Sequence, residues 1–423
     1  MFNITKESLF FAALILVAVT LPVSNLLVNT ISIWLMIAVW LMSSPIKEKI
    51  RFLRSNKLIW LFSSLFLMYA IGLIYGNFKL GLFEIEKRLS LLIFPIVLGT
   101  APKISSKQFK IVLLSFAVSC IIISLLCLID TFYRNYSQGI VFFSDQFYTD
   151  KSYGIIFAHN NSWLFSYENL TKNYGFHPSY FSVYAVFSIF ILLFVGFRNE
   201  SISKFEKLSW GLAVIFLIIF IFLLASRIGL ISLLILSVFS LLFYSYKKRK
   251  LLYGFIVTLL FIFSISYALQ FFIPIKEKFE GLVTNGTEYS PYRSSERLEL
   301  WGSSLKVIKD NFLVGVGTGS LQPVLQCIYK NDSKAYCYQY NSHNQFLDIA
   351  ATLGSIGLIF FILSLFYPIY LCYKKKNYLY AIFILLFMFI SFVECPLAVQ
   401  KGVVWYAFFN SLFAFHSFNF FKN

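Results

Sequence analysis

Twelve stretches of the sequence stay apolar for most of the length a helix needs to cross a bilayer. They run over about Leu9–Leu27, Ile31–Ser44, Leu58–Tyr75, Leu82–Leu98, Ile111–Ile129, Tyr180–Phe197, Trp210–Ala225, Ile228–Tyr244, Leu251–Ile273, Phe346–Tyr370, Tyr378–Val393 and Val403–Phe415. Lipid offers a backbone no hydrogen-bond partners, so each stretch must satisfy its own N–H and C=O groups. The pattern predicts an all-α, polytopic membrane protein with about twelve transmembrane helices, residues 1–423 forming a single integral membrane domain. Lys6 precedes the first stretch, but no small-x-small cleavage site follows it, so a retained first span is expected.

Polar residues collect unevenly between these stretches. Two long connections stand out, residues 130–179 and 274–342. The first is dense in aromatic residues beside Asn and Asp, which suits a layer at the membrane interface and also suits packing on sugar rings. The second is partly helical by its pattern. Ser294 or Ser295 can cap a helix, and Leu298, Leu300, Trp301, Leu305, Val307 and Ile308 give an amphipathic spacing over about Glu296–Lys309. Gly315, Gly317 and Gly319 then end it. They do not form a phosphate loop, because no strand precedes them and no Gly-Lys-Ser/Thr closes them.

Composition sharpens the class. Hydrophobic residues make up 59% and charged residues 13%, with mean hydropathy +0.75, which excludes an ordinary soluble domain. The net charge of +17 would point to nucleic acid in a soluble chain, but here it sits in the short links after the even-numbered stretches. Lys47, Lys49, Arg51, Arg54 and Lys57 follow the second, Lys103, Lys107 and Lys110 the fourth, and Arg198, Lys204 and Lys207 the sixth. Lys247, Lys248, Arg249 and Lys250 follow the eighth, and Lys374, Lys375 and Lys376 the tenth. Basic residues remain on the cytoplasmic side, so both termini are expected there and no nucleic-acid partner is needed. Of the six cysteines, Cys327 and Cys337 share the second long connection, where they can bridge or remain two free thiols.

Few polar groups are left to carry chemistry. Arg227, in "LLASRIGLISLL", falls between two apolar stretches with almost no loop around it, where a cation either has work to do or snorkels to the interface at smaller cost. Arg297 stands four residues before Trp301, a spacing that allows the guanidinium to stack on the indole, although it reads equally as a solvated helix-face residue. His343 ends the second long connection, with Asn344 and Asp348 placed either to hold its ring or to cap the next helix. Ala350, Ala351, Gly354, Ser355 and Gly357 follow as a small-residue face for close packing. His177 and Tyr180 lie where Pro178 starts a helix, and Glu394 and Lys401 flank the link between the last two stretches, where they can pair with each other or line a cleft for an acceptor. Glu86, Lys87 and Arg88 suggest no role. None of the four histidines is paired at i,i+4 and there is no Cys-x-x-Cys, so neither metal nor cofactor is expected.

The run "HNQFLDIAATLGSIG" has the His-Asn, nine residues, Gly, two residues, Gly pattern of the O-antigen ligase and polymerase superfamily, carried by His343, Asn344, Gly354 and Gly357. Ser226–Gly229, the Arg-x-x-x-Trp of Arg297 and Trp301, and the later Gly-x-Gly also resemble that family. The resemblance implies a bacterial inner-membrane glycosyltransferase with its site facing the periplasm. Its donor would be an undecaprenyl-diphosphate-linked glycan. The acceptor would be a hydroxyl of lipid A core (a ligase) or of a second lipid-linked glycan (a polymerase). It further implies diphosphate binding by Arg227 and Arg297 and engagement of the acceptor hydroxyl by His343. Within the family a protein acceptor is also open. A secondary transporter or flippase is the rival from another class, since twelve spans suit it too, but transport would place ionisable groups at mid-bilayer on several helices.

Overall fold

A computed structural model describes residues 5–141, 145–150, 155–197, 203–247, 249–250, 252, 255–256, 259, 274–276, 294–331 and 333–416. The chain divides into two compact units, one of Met1–Phe116 with Ser294–Asn423 and one of Ala117–Arg293.

The first unit contains α1 (Lys6–Thr20), α2 (Leu26–Ser43), α3 (Ile46–Ser55), α4 (Lys57–Tyr75), α5 (Phe78–Arg88), α6 (Ser90–Thr100) and the start of α7 (Ser106–Tyr136). The second unit holds the rest of α7, a ribbon of β1 (Asp145–Asp150) and β2 (Ile155–Asn160), and α8 (Tyr167–Thr171), α9 (Pro178–Ile191), α10 (Lys204–Leu223) and α11 (Arg227–Lys247). The chain then returns to the first unit with α12 (Ser294–Asp310), α13 (Leu321–Ile328), α14 (Lys334–Cys337), α15 (Gln345–Lys375), α16 (Tyr378–Val393) and α17 (Gln400–His416).

Among the described residues, seven helices are long and apolar enough to cross a membrane, and the chain is a multi-pass membrane protein. These are α2, α4, α7, α9 with the π-type turn that continues it to Gly196, α10, α11 and α15. The difference from the expected twelve has identifiable sources. Leu82–Leu98 divides into α5 and α6, each 11 residues long, with Pro95 removing a backbone donor inside α6. Helices α1, α16 and α17 have 15, 16 and 17 residues. The ninth expected segment, 251–273, lies almost wholly outside the described residues. The all-α expectation holds apart from the β1–β2 ribbon, which is antiparallel with Asp145 opposite Asn160.

The core of the first unit is built around α17. Its sequence "VVWYAFFNSLFAF" is apolar all round, which suits a helix with neighbours on every side, and residues Val403 to Ala414 are all buried. Edge-on ring pairs join it to its neighbours: Phe408 to Phe94 of α6 at 5.4 Å, Phe409 to Phe116 of α7 at 4.9 Å, and Phe415 to Phe62 of α4 at 6.0 Å. On α16, Phe387 stacks on Tyr406 at 4.1 Å. Each such pair adds about 0.5–1.5 kcal/mol beyond the area it buries.

Helices α12 to α14 form a small outer group with its own core of Leu300, Val307, Leu321, Leu325, Tyr329 and Ala335, closed by Ala351 of α15. The amphipathic spacing over 296–309 is thus part of a helix two residues longer at its start and one at its end.

Candidate active site

The first turn of α15 is tied to the chain between α16 and α17 by side chains and backbone from both segments. Asn344 is the helix cap: its Oδ1 accepts from the N–H groups of Phe346 (3.0 Å) and Leu347 (3.1 Å), and its Nδ2 donates to Phe392 O at 3.2 Å. Gln345 Oε1 accepts from Leu397 N at 2.7 Å. Asp348, buried one turn on, accepts a hydrogen bond from the Cys395 thiol. Burial, and then the neighbouring Asp348, hold that thiol well above the usual range, so it remains a donor.

His343 precedes the cap and is the pivot of this arrangement. Its Nδ1 lies 3.0 Å from Glu394 Oε2, and Tyr340 meets the ring edge-on at 5.4 Å. Glu394 is mostly buried whereas the imidazole is 28% exposed, so the pair has a covered carboxylate and an accessible ring. If Nδ1–H donates to Glu394, the ring is in the tautomer whose Nε2 carries a lone pair. The backbone of His343 is left-handed, φ +43°, a conformation uncommon outside glycine and found disproportionately where a site constrains the chain. Of the two roles the sequence leaves open for Asn344 and Asp348, holding the ring or capping the helix, Asn344 takes the cap and Asp348 meets Cys395. The ring is held by Glu394, 51 positions away.

The depth of this turn is set by a break in α15. Gly354 has φ +67° and ψ −169°, so the helix is two helices meeting at a kink. The turn after α12 fills the gap. Val316 N donates to Ala351 O (3.0 Å) and Gly317 N to Thr352 O (2.9 Å), while Phe312 O accepts from Ser355 N (2.8 Å). Thr318 continues into α4, its N donating to Gly72 O (2.9 Å) and its Oγ1 to Tyr69 O (2.7 Å). Gly354 therefore does more than give a small-residue face for a neighbouring helix: it lets a loop, rather than a helix, dock backbone to backbone. The N–H groups of Gly315, Val316, Gly317 and Thr318 all go to protein carbonyls, so these four are not available as an anion cradle.

Beside the same turn lies a charged group for which the linear pattern suggests no role. Arg88, only 2% exposed, donates through Nη1 to Glu84 O at 3.1 Å and forms a close ion pair with Glu84 Oε2. Its guanidinium carbon sits 4.2 Å from the centre of the Tyr69 ring and within electrostatic reach of Asp348. A guanidinium this deep needs such partners, because an uncompensated buried charge costs several kcal/mol, roughly 3–5 when one partner is removed. Arg88 thereby couples α4, α5 and the first turn of α15.

The remaining candidates are distributed over both units. Arg297 lies half-buried on α12, one turn before Trp301, whose ring packs on the outer group's core. In the second unit, Arg227 is the first residue of α11, half-buried, directly after Ser226, whose Oγ meets Ser182 Oγ at 2.9 Å. A cation at the positive end of a helix is unfavourable by itself and becomes favourable when an anion is shared between the two. His177 caps α9, its Nδ1 accepting from Ser179 N at 3.3 Å, with the Tyr180 ring edge-on at 6.1 Å.

Residues 212–362 match the family model Wzy_C, described as O-antigen ligase. No curated protein matches the chain. The matched stretch contains Arg227, Arg297, Trp301, His343, Asn344, Gly354 and Gly357, whereas Arg88, His177, Tyr180 and Glu394 lie outside it.

Proposed function

From the premise that the chain belongs to the O-antigen ligase superfamily, a family of membrane glycosyltransferase-like enzymes acting on lipid-linked glycans, we propose the following reaction. The protein transfers a glycan from undecaprenyl diphosphate to an acceptor hydroxyl, on lipid A core, at the periplasmic face of the bacterial inner membrane. The acceptor oxygen attacks the anomeric carbon as its proton passes to His343 Nε2. The bond from that carbon to the diphosphate oxygen breaks, and the sugar's configuration inverts. Glu394 holds the ring through Nδ1 and stabilises the imidazolium that forms. Arg227 and Arg297 bind the diphosphate, and their guanidinium groups offset the negative charge that grows on it as it leaves.

One observation carries this reading: the 3.0 Å bond between His343 Nδ1 and Glu394 Oε2, which supplies an oriented, accessible imidazole. Glycan transfer by the purified protein, from an undecaprenyl-diphosphate-linked donor, tests it. His343→Asn is the informative variant, because Asn tolerates the left-handed backbone that His343 occupies. Transfer should fall by about 10²–10⁴-fold, the usual share of a general base. Full activity in that variant would remove His343 from the reaction. Offering lipid A core and a second lipid-linked glycan as rival acceptors decides between ligase and polymerase, and elongation of the second without use of the first would make the protein a polymerase.

A further inference from the structure

The helix α3 has no part in the reaction above, yet its sequence "IKEKIRFLRS" is sharply two-sided. Ile46, Ile50 and Leu53 fall at i, i+4 and i+7 and form one face, while Lys47, Arg51 and Arg54 repeat the same spacing beside it and are all exposed. The apolar face covers a cavity of about 130 Å³ between α3, the end of α2 and α6. Its walls are Trp40, Leu41, Ile46, Ile50, Leu53 and Ile96, joined by Lys49 and Thr100. Neither polar side chain faces inward as a free group. Lys49 Nζ donates to Leu41 O at 3.2 Å and to Ser44 O and lies 5.2 Å from the centre of the Trp40 ring, while Thr100 Oγ1 accepts from Trp40 Nε1 at 3.0 Å. Lys49 thus fastens α3 to the carbonyl end of α2, which keeps the space beneath it open.

Three wall residues are also surface residues: Leu41 is 48% exposed, Ile46 61% and Ile50 42%. The cavity therefore opens to the surface between α2 and α3, and Ile46 and Ile50 adjoin Lys47 and Arg51 of the basic row. An apolar space of this size can take up small hydrocarbon groups, as engineered cavities of about 150 Å³ do. A ligand that engages both the three cations and the hydrocarbon-lined space is an anion carrying a hydrocarbon chain.

We propose that α3 and this cavity form a binding site for an anionic phospholipid, its phosphate on Lys47, Arg51 and Arg54 and part of one acyl chain in the cavity. Basic side chains are attracted to an acidic membrane surface, so the row confers selectivity over zwitterionic lipid. The site is independent of the transfer reaction.

The test is native mass spectrometry of the full chain released from detergent and titrated with phosphatidylglycerol or phosphatidylcholine. The expected result is a retained phosphatidylglycerol adduct, reduced about tenfold or more in K47Q/R51Q/R54Q and not in K103Q/K107Q/K110Q, which removes the same charge elsewhere. Ile50→Trp, which fills the mouth and leaves the charges, should also weaken the adduct, and glycerophosphoglycerol without acyl chains should not bind. Equal retention of the two phospholipids, or equal loss in the two triple variants, would mean attraction to net charge only and would overturn the site. So would binding unchanged by Ile50→Trp. Circular dichroism of each variant shows whether it is folded; should the first triple variant fail to fold, Ile50→Trp with the lipid comparison decides the matter.

Discussion

At the scale of single residues, the site depends on a division of labour between neighbours. In the proposed reaction His343 carries the reacting nitrogen, and Asn344 beside it accepts from two backbone donors and gives one N–H to Phe392 O. Asn344 therefore holds the ring's backbone in place. Glu394 orients the ring and should affect rate more than binding. Glu394→Gln is expected to lower kcat by about 10²-fold with KM for the donor little changed, since a neutral amide neither fixes the tautomer nor stabilises the charged ring. A rise in donor KM with kcat intact would instead make Glu394 part of the binding surface. His343 and its Asn were legible in the sequence, because a polar pair at the threshold of an apolar run is conspicuous. The Glu394 contact was not, because a carboxylate between two apolar helices has several partners within reach along the chain. Arg88 was the harder case: its meaning depends on Glu84, Tyr69 and Asp348 from three different helices, and a linear pattern shows only a basic residue near a helix end.

At the scale of elements, glycine decides the geometry where helix, loop and span meet. The apolar periodicity foretold helices, and the turn after α12 was visible in Gly315, Gly317 and Gly319. What periodicity does not encode is a helix broken at one residue, because an apolar run looks the same whether its hydrogen-bond ladder is continuous or interrupted. Gly354 combines a positive φ with an extended ψ, a region that side-chain-bearing residues essentially do not enter, and an added Cβ would strike the backbone of Leu313 and Val314. Gly354→Ala should therefore destabilise the protein by at least about 2 kcal/mol. Gly302 lies in α12 with open space around it, so Gly302→Ala is the matched control and should stabilise by about 0.5–1 kcal/mol. Thermal melts in one detergent measure both. Equal melting points for Gly354→Ala and the parent would show that the kink is not needed.

At the scale of the whole molecule, the spans follow from composition, while their number depends on interruptions that composition hides. Seven long apolar helices among the described residues, with α5 and α6 divided where one run was expected, form a membrane protein whose polar chemistry gathers at helix ends. The kink at Gly354 has a mechanical consequence. The turn after α12 bonds both sides of it, Ala351 and Thr352 before and Ser355 and Ile356 after, so the break is bridged. Bilayers differ in thickness, and a helix too long or too short for its surroundings tilts at modest cost. Through the clamped break, a lean of the span is passed on to the turn that carries the imidazole. Turnover in vesicles of short-chain and long-chain lipids should consequently differ, and a rate independent of chain length would show that the break yields.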